Sequence, residues 1–434
     1  MKDREGERVI LVGRIDSQLP RINIGEFKAL AEAAGYKVVG ILIQKRYPDS
    51  RFNIGSGKVK ELKELISKLN AEKVIFYNQL SPNQVFNLQE ELGVDVIDRF
   101  QLILEIFARH AGSKEAKLQI ELAKLKYELP RIRELVRRAR MKELPGISRG
   151  PGGYQVDVYY RAVRRRIAHI MRELEKIRKQ KQIQRKARFT LGIPLVVLTG
   201  YTNAGKTTLF NRLARESKIV SSAPFSTLST TTRLINFKGY KFLLSDTIGF
   251  IEDLPPLLIE AFYTTLEELI YADLILLVVD ISEEIDEIKR KIDASMKILS
   301  EIGVLGKPII LVLNKIDKIS NGELIERVEK VLPNFKYRVA ISATKGYNID
   351  RLCEIMVKLL PKVRIFKVAL PVEKLPIVFS KFNKLRMRVI DIRDRALIEL
   401  EVPHALMDHV QNYISGLGGH ILAHATSGSV TDGT

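Results

Sequence analysis

The chain has 434 residues, of which 46% are hydrophobic and 28% are charged, a composition that indicates about three globular domains and excludes an intrinsically disordered protein. Its single cysteine, Cys353, excludes an internal disulfide and fits a reducing cytoplasm, while the net charge of +20 favours a polyanionic partner. The N-terminus lacks a signal peptide and the longest apolar runs are only strand-length, so we expect a cytoplasmic protein without a membrane span.

The first 110 residues alternate between strand and helix patterns. Seven elements are predicted in this order: strand 8–12, helix 24–34, strand 37–43, helix 59–69, strand 73–77, helix 82–92 and strand 95–98. An alternation of this kind forms a parallel sheet covered by helices. We therefore predict a small N-terminal α/β domain at residues 1–110.

Residues 111–190 carry two long helical patterns. Apolar side chains recur every three or four residues over 118–136 and again over 160–177, which is typical of a coiled-coil seam. The Gly- and Pro-rich segment 144–153 separates the two patterns, and a helix cannot continue through it. These features predict an antiparallel helical hairpin with a Gly/Pro tip, in which Pro130 kinks the first helix.

This hairpin is strongly basic. Residues 131–188 contain nineteen Lys and Arg against five Asp and Glu, a balance of +14. A basic helix face is often only solvated, and an anionic membrane is a second alternative, but the segment lacks the broad apolar face of an interfacial helix. The concentration of charge favours the phosphate backbone of RNA. The candidate RNA contacts are Arg161, Arg164, Arg165 and Arg166 on the second helix, with Arg149 and Gly150 at the tip.

A phosphate-binding loop opens the segment predicted as a G domain, residues 191–365. Gly200 to Thr207 read G-x-x-x-x-G-K-T, and they lie between an apolar strand and a helical pattern, the context that such a loop requires. Inward-facing backbone N–H groups and the helix N-terminus bind the phosphates, Lys206 adds a point charge, and the Thr207 hydroxyl is a Mg²⁺ ligand. The predicted nucleotide contacts in this loop are Asn203, Ala204, Gly205, Lys206, Thr207 and Thr208.

The switch segments follow. Asp246 ends the next strand and should hold Mg²⁺, mostly through water. The N–H of Gly249 should approach the γ-phosphate, and Thr231, in the polar run 226–233, is chosen as the threonine that reaches Mg²⁺ when GTP is bound. Phe250 stands where Ras-type enzymes place a catalytic glutamine, so intrinsic hydrolysis should be slow.

The predicted catalytic residues are Lys206, Thr231, Gly249 and Asn203. Asn203 occupies the position at which potassium-dependent GTPases hold K⁺ near the phosphates, and K⁺ there would stabilise transition-state charge. The alternative, a loop asparagine that completes its own turn, is equally compatible with the sequence.

The base is predicted from two later strand ends. Asn314-Lys315-Ile316-Asp317 ends the apolar run 308–313, at the carboxyl end where open α/β sheets bind ligands. A carboxylate at Asp317 accepts hydrogen bonds from guanine N1–H and N2–H, whereas adenine would leave it unpaired. Asn314 and Lys315 should shape this pocket. Backbone N–H groups of Ser342, Ala343 and Thr344 should meet guanine O6, so the predicted ligands are GTP and GDP.

Residues 366–434 are predicted to form a small C-terminal α+β domain. Alternating segments at 385–392 and 396–402 predict a β-hairpin, a helix is predicted near 403–414, and we expect a disordered tail at 427–434. The whole chain is therefore predicted as α/β, with a mixed G-domain sheet that has helices on both faces.

These residues resemble the HflX family of translational GTPases, in the same class as the Obg-like proteins, over roughly residues 8 to 365. The resemblance rests on the phosphate-binding loop, on Asp246-Thr-Ile-Gly-Phe250, and on several further motifs. These are Asp253-Leu-Pro255, Ile54-Gly-Ser-Gly-Lys58, Val96-Ile-Asp-Arg99, Lys117-Leu-Gln-Ile-Glu121 and Arg149-Gly-Pro-Gly152. The chain departs from the family at Ser229-Thr230, where Asp-Pro is usual, at Gly153, where the family has an acidic residue, and at Tyr159-Tyr160, where Asp-Arg is usual.

The resemblance implies a GTPase that binds the large ribosomal subunit and splits or rescues stalled ribosomes. In that family the hairpin tip enters the peptidyl-transferase region, so rRNA is the implied polyanion. Mg²⁺ is the expected cofactor, and K⁺ at Asn203 would be a second ion beside it. We expect a monomer. A different class of function also fits the residues: a non-ribosomal RNA-binding or RNA-remodelling protein that uses nucleotide as a switch.

Overall fold

The computed structural model describes residues 6–17, 19, 21–140, 152–191, 193–215, 231–247, 249–251, 258, 266–320, 322–323, 327, 335–361, 364–382, 385, 387–402 and 406–426. The hairpin tip with Arg149 and Gly150, residues 226–230 of the polar run and the tail 427–434 lie outside these residues. The chain divides into two compact units. The first contains the N-terminal part up to Lys176 with Thr247–Leu266, and the second contains the remaining strands and helices.

The first unit is built on a four-stranded parallel sheet in the order β2-β1-β3-β4. Its strands are β1 (Arg8–Ile15), β2 (Lys37–Lys45), β3 (Lys73–Phe76) and β4 (Asp95–Asp98). Its helices are α1 (Ile24–Ala33), α2 (Ser56–Leu69), α3 (Pro82–Leu92) and α4 (Arg99–His110). The predicted alternation is confirmed, and α4 is an additional helix that the sequence did not predict.

Side chains of β1 alternate between two cores, as a strand with helices on both faces requires. Val9 and Leu11 are buried with α1 and α4, whereas Ile10 and Val12 are buried with α2 and α3. Ile251 and Leu258, from the segment after Asp246, lie in the same core as Val9.

The hairpin consists of α5 (Lys114–Arg140) and α6 (Gly152–Leu191). Two ion pairs show that the helices are antiparallel: Lys114 lies 3.1 Å from Glu173, and Arg166 lies 2.7 Å from Glu121. The buried members of the predicted seam are Leu122, Ile132 and Val136 on α5, and Val163 and Ile170 on α6. Outside the seam, α5 also buries Ala116, Ile120 and Ala123, in the core that contains α1 and α4.

The second unit contains a six-stranded sheet in the order β10-β9-β8-β5-β7-β6, in which only the β6–β7 pair is antiparallel. The strands are β5 (Leu195–Gly200), β6 (Thr231–Phe237), β7 (Tyr240–Asp246), β8 (Leu274–Asp280), β9 (Ile309–Asn314) and β10 (Tyr337–Ala340). Three helices in this unit are α7 (Lys206–Ala214), α8 (Ile285–Ile302) and α9 (Ile349–Leu359). Every residue of β5 and β8 is buried, which is typical of central parallel strands covered on both faces.

The C-terminal part is an antiparallel sheet in the order β12-β13-β11-β14. Its elements are β11 (Arg364–Pro371), α10 (Leu375–Lys381), β12 (Met387–Ile392), β13 (Arg395–Val402), α11 (Met407–Gly416) and β14 (His420–Thr426). This β-α-β-β-α-β pattern is that of ferredoxin-like domains. The predicted hairpin and helix are present, whereas β11, α10 and β14 were not predicted. Within the described residues no helix is long and apolar enough to cross a membrane.

Candidate nucleotide site

The loop between β5 and α7 needs glycine at two positions. Gly200 has a φ of +132°, and a Cβ there would lie 2.2 Å from the carbonyl oxygen of Val278 on β8. Gly205 has a φ of +91°, and a Cβ there would lie 2.2 Å from Asn314 Nδ2. Both positions combine a left-handed or otherwise strained backbone with a close approach, so only glycine fits. The two glycines of the motif thus shape a tight turn before α7, and the N–H of Ala204 in this turn donates to the carbonyl oxygen of Tyr201 at 3.4 Å.

Lys206, the first residue of α7, is buried at 7% exposure. Its Nζ donates hydrogen bonds to the carbonyl oxygens of Gly200 at 3.1 Å and Tyr201 at 2.7 Å. Burial lowers the pKa of Lys206 to about 8, and the nearby Asp246 carboxylate opposes part of this shift. Backbone carbonyl oxygens therefore hold the ammonium group inside the loop. A phosphate, which is charged, would bind this ammonium more strongly than these neutral oxygens do.

Oxygen-bearing side chains meet beside this lysine. The hydroxyl of Thr207 donates to Asp246 Oδ2 at 3.0 Å, and Asp246 is fully buried at the end of β7. Thr231, at the start of β6, is the antiparallel register partner of Asp246. Hydroxyl and carboxylate oxygens are the ligands that Mg²⁺ prefers, so this donor set fits the ion.

Gly249 and Phe250 follow β7, and both are buried. Phe250 is 1% exposed, so its ring has a packing role that the sequence did not indicate. A phenyl ring has no group that could orient water, which agrees with the absence of the catalytic glutamine.

Asn314 at the end of β9 links two loops. Its Nδ2 donates to the carbonyl oxygen of Ala204 at 2.8 Å, and its Oδ1 accepts from the N–H of Ala343 at 3.0 Å. The neighbouring Lys315 has a φ of +70°, and its ammonium lies 2.6 Å from Asp280 Oδ2 at the end of β8. The Lys315 ammonium and hydrogen bonds from Ser282 together lower the pKa of Asp280 against its burial. The polar ends of β8 and β9 are thus fixed to each other and to the phosphate-binding loop.

Asp317 lies in a short 3₁₀ helix, Ile316–Lys318, directly after β9. Its Oδ1 accepts a hydrogen bond from the Ser342 hydroxyl at 2.5 Å. Its Oδ2 makes no hydrogen bond with the described residues, and the side chain is exposed. The carboxylate is consequently oriented from one side and open to a ligand from the other.

The remaining predicted residues are placed as follows. Thr208 lies in the first turn of α7, and Thr344 is exposed in the turn after β10. Asn203 is exposed, has a φ of +63° and makes no hydrogen bond with the described residues. One further residue at this site was missed by the sequence: Arg212 on α7 donates to the carbonyl oxygens of Ala343, at 3.1 Å, and Thr344.

The predicted RNA-contacting arginines of α6 differ in their surroundings. Arg165 is exposed and makes no contact with a carboxylate in the described part of the chain. Arg164 lies 6.0 Å from the ring centroid of Tyr160, and Arg161 lies 3.5 Å from Asp157. Arg166 instead forms a two-pronged ion pair with Glu121 on α5, at 2.7 and 2.8 Å, and this guanidinium lowers the pKa of Glu121.

The strand order of the second sheet and the G-x-x-x-x-G-K-T loop after β5 define a P-loop GTPase. Residues 195–315 match the family model described as 50S ribosome-binding GTPase. Residues 21–108 and 110–188 match the models of the GTP-binding GTPase N-terminal and middle regions. This protein belongs to the HflX GTPase family.

Relatives named GTPase HflX share much of the chain. The protein of Thermofilum pendens is 50% identical over 358 residues, which is 82% of this chain and 84% of the relative. That of Caldanaerobacter subterraneus is 38% identical over 423 residues, which is 95% of this chain and 94% of the relative. A crystal structure of a GTP-binding protein from Sulfolobus solfataricus in complex with GDP has 34% identity and a TM-score of 0.43, covering 81% of this chain and 98% of that chain.

Proposed function

We propose that this GTPase binds the large ribosomal subunit through its basic hairpin, acts near the peptidyl-transferase region, and splits or rescues stalled ribosomes as a monomer. The observation that carries the proposal is the set of exposed arginines on α6, above all Arg165, whose charge is not neutralised by a described carboxylate. The predicted tip contacts, Arg149 and Gly150, and the division into four domains are part of the same proposal.

For the hydrolytic site we propose that Thr207, Asp246 and, with GTP bound, Thr231 hold Mg²⁺. The ion, when bound, neutralises charge on the β- and γ-phosphates. The backbone N–H groups of the loop and the Lys206 ammonium bind and orient the phosphates. The N–H of Gly249 approaches the γ-phosphate as a hydrogen-bond donor. Because Phe250 cannot orient water, hydrolysis by the isolated protein is slow and the ribosome stimulates it.

A K⁺ ion at Asn203 is a second part of this proposal. It would supply positive charge next to the phosphates, where the site has no arginine finger among its described residues. GTP hydrolysis measured in K⁺ and in Na⁺, with Asn203→Ala as the control, tests the idea. We expect faster hydrolysis in K⁺ for the natural protein only, and equal rates in both salts contradict it.

Sedimentation with purified ribosomal subunits tests the proposed function. The full chain is mixed with large and small subunits in the presence of a non-hydrolysable GTP analogue or GDP. We expect cosedimentation with the large subunit that is stronger with the GTP analogue. Binding that is equal in both nucleotide states, or absent from both, would contradict the ribosomal proposal. If the protein binds unrelated RNA as strongly as the large subunit, the non-ribosomal alternative is favoured.

A further inference from the structure

The turn after β10, residues Ser342–Asn348, is closed by its own hydrogen bonds. The N–H of Gly346 donates to the carbonyl of Ser342 at 2.7 Å, and the N–H of Lys345 donates to the Ser342 hydroxyl at 3.0 Å. The N–H of Ala343 is held by Asn314 Oδ1 at 3.0 Å. These bonds fix the two N–H groups on either side of Thr344, whose own N–H makes no hydrogen bond with the described residues.

Arg212 holds the same turn from the side of α7. Its Nε donates to the carbonyl oxygen of Ala343 at 3.1 Å, and its Nη2 donates to the carbonyl oxygen of Thr344. A Cβ on Gly346 would lie 3.7 Å from Arg212 Cζ, so the guanidinium also packs against the turn. Two parallel donors on a planar group fix orientation in a way that a flexible point charge does not.

The contact of Arg212 with the Ala343 carbonyl also determines the direction of the next N–H, that of Thr344. In a planar trans peptide the C=O and the following N–H point in opposite directions. The carbonyl of Ala343 shares its peptide unit with the N–H of Thr344. Because Arg212 draws that carbonyl towards α7, the N–H of Thr344 is directed away from α7.

We propose that Arg212 is a positioning residue for guanine recognition, which aims the Thr344 N–H at O6 of the base. This inference rests on the assignment of Asp317 as the reader of guanine N1–H and N2–H. The turn held by Arg212 then recognises O6, the acceptor beside N1–H, through a backbone donor. Arg212 thereby contributes to selectivity for guanine without touching the base.

Base analogues separate positioning from general support of the fold. Affinities of the natural protein and of Arg212→Gln are measured for GDP, for inosine diphosphate and for 6-thioguanosine diphosphate. Inosine keeps O6 and N1–H but lacks the N2 amine, whereas 6-thioguanosine keeps both donors and replaces O6 by a weaker acceptor. We expect Arg212→Gln to weaken GDP and inosine diphosphate about tenfold each, and 6-thioguanosine diphosphate about twofold or less.

Arg351→Gln is the matched control, because Arg351 is exposed on α9 and makes no ion pair or hydrogen bond within the described part of the chain. It should leave all three affinities unchanged. An equal loss for all three nucleotides in Arg212→Gln, or no loss for GDP, overturns the proposal. If the glutamine variant does not fold, Arg212→Lys replaces it, because lysine keeps the charge but lacks the two parallel guanidinium donors. The losses in affinity for the three nucleotides are then compared in the same way. If the natural protein itself binds GDP and inosine diphosphate equally, the assignment of Asp317 fails instead, because inosine lacks the N2–H donor that this carboxylate is assigned to read.

Discussion

The nucleotide site and the basic face of α6 both depend on charge, but they use it in opposite ways. At the nucleotide site Lys206 and Asp246 are buried, and Lys315 is paired with Asp280. On the basic face of α6, by contrast, the side chains of Arg161, Arg164, Arg165 and Arg166 are exposed. Buried groups in fixed positions can select one ligand atom by atom, whereas exposed charges attract any polyphosphate. The two regions should therefore respond differently to substitution, pH and salt.

The largest effect is expected at Lys206. Lys206→Ala removes the charge that compensates the β- and γ-phosphates, so GTP hydrolysis should fall by roughly 10²–10³-fold, the loss typical of one preorganised electrostatic contact. Phosphate release measured at saturating GTP checks this. Hydrogen exchange of the N-terminal unit is the control and should not change. Retention of more than half the natural rate would show that the buried lysine is not the phosphate ligand.

Arg185 allows buried and exposed arginines to be compared on one helix, because it lies on α6 but is buried. Its guanidinium contacts Glu267 at 2.9 Å and Glu268 at 3.0 Å, and it lies 4.3 Å from the centroid of the Tyr271 ring. Arg185→Met leaves the buried Glu267 carboxylate with Arg178, at 2.9 Å, as its one charged partner among the described residues. We expect a loss of about 3 kcal/mol in the free energy of unfolding of the second unit, the lower end for a broken buried pair.

Chemical denaturation followed by circular dichroism measures this loss. Arg165→Met is the matched control, since it makes the same change on the same helix at an exposed position. It should alter the free energy of unfolding by less than about 0.5 kcal/mol. Similar values for both variants would show that burial does not distinguish the two arginines.

The pKa of Lys206 predicts a pH dependence for GDP binding. The amine has a pKa of about 8 in the nucleotide-free protein, and binding of phosphates requires the charged form. Above pH 8 a proton must be taken up on binding, so affinity should fall by up to about tenfold per pH unit. Below that pKa the group is already charged, and no such fall is expected.

Calorimetric titration with GDP on either side of this pKa measures the effect. Lys206→Arg is the control, because a guanidinium keeps its charge and should remove the dependence. The stability of the nucleotide-free protein should change in the opposite sense. Between about 8 and the ordinary lysine value of 10.5 the unfolded chain binds more protons, so stability rises with pH. A flat affinity profile in the natural protein would contradict the assignment.

The smallest effect is expected on α6. Arg165→Gln should reduce the slope of log affinity for ribosomal RNA against log salt by about 0.7–0.9, the change expected when a single phosphate is no longer neutralised. Arg166→Gln should change the slope less, because Arg166 is already paired with Glu121. Filter binding at several salt concentrations checks both. If neither variant alters the slope, these arginines are only a solvated surface.

The sequence predicted the N-terminal elements to within a few residues, because alternation and helical spacing are local signals. Helix α4 was missed because it follows β4 without a turn: Asp98 ends the strand and its Oδ1 accepts the N–H of Gln101 at 3.1 Å as the N-cap. Among the described strands, β11 pairs with β13 and β14, which are distant from it in the chain, and a local pattern does not reveal such pairing.

At the nucleotide site the motifs located the residues that are close together in sequence. Arg212 was missed because its two acceptors lie 131 and 132 residues further along the chain. The pair Lys315–Asp280 was missed for the same reason. On the hairpin, the sequence did not distinguish Arg166 from the other three predicted RNA contacts of α6. The register between α5 and α6 shows that Arg166 faces Glu121.

Replacement of Asp317 by asparagine tests the central claim, that groups held in fixed orientations at the strand ends select guanine. Because Ser342 donates to Oδ1, an amide at this position should turn its oxygen towards Ser342 and its Nδ2 towards the base. Such a group cannot accept from guanine N1–H and N2–H but can donate to the 2-oxo group of xanthine. We predict that Asp317→Asn binds xanthosine triphosphate more tightly than GTP, with a loss of about 1.5–3 kcal/mol in GTP binding for each charged hydrogen bond removed. Unchanged GTP affinity, with no gain for xanthosine triphosphate, would contradict the account.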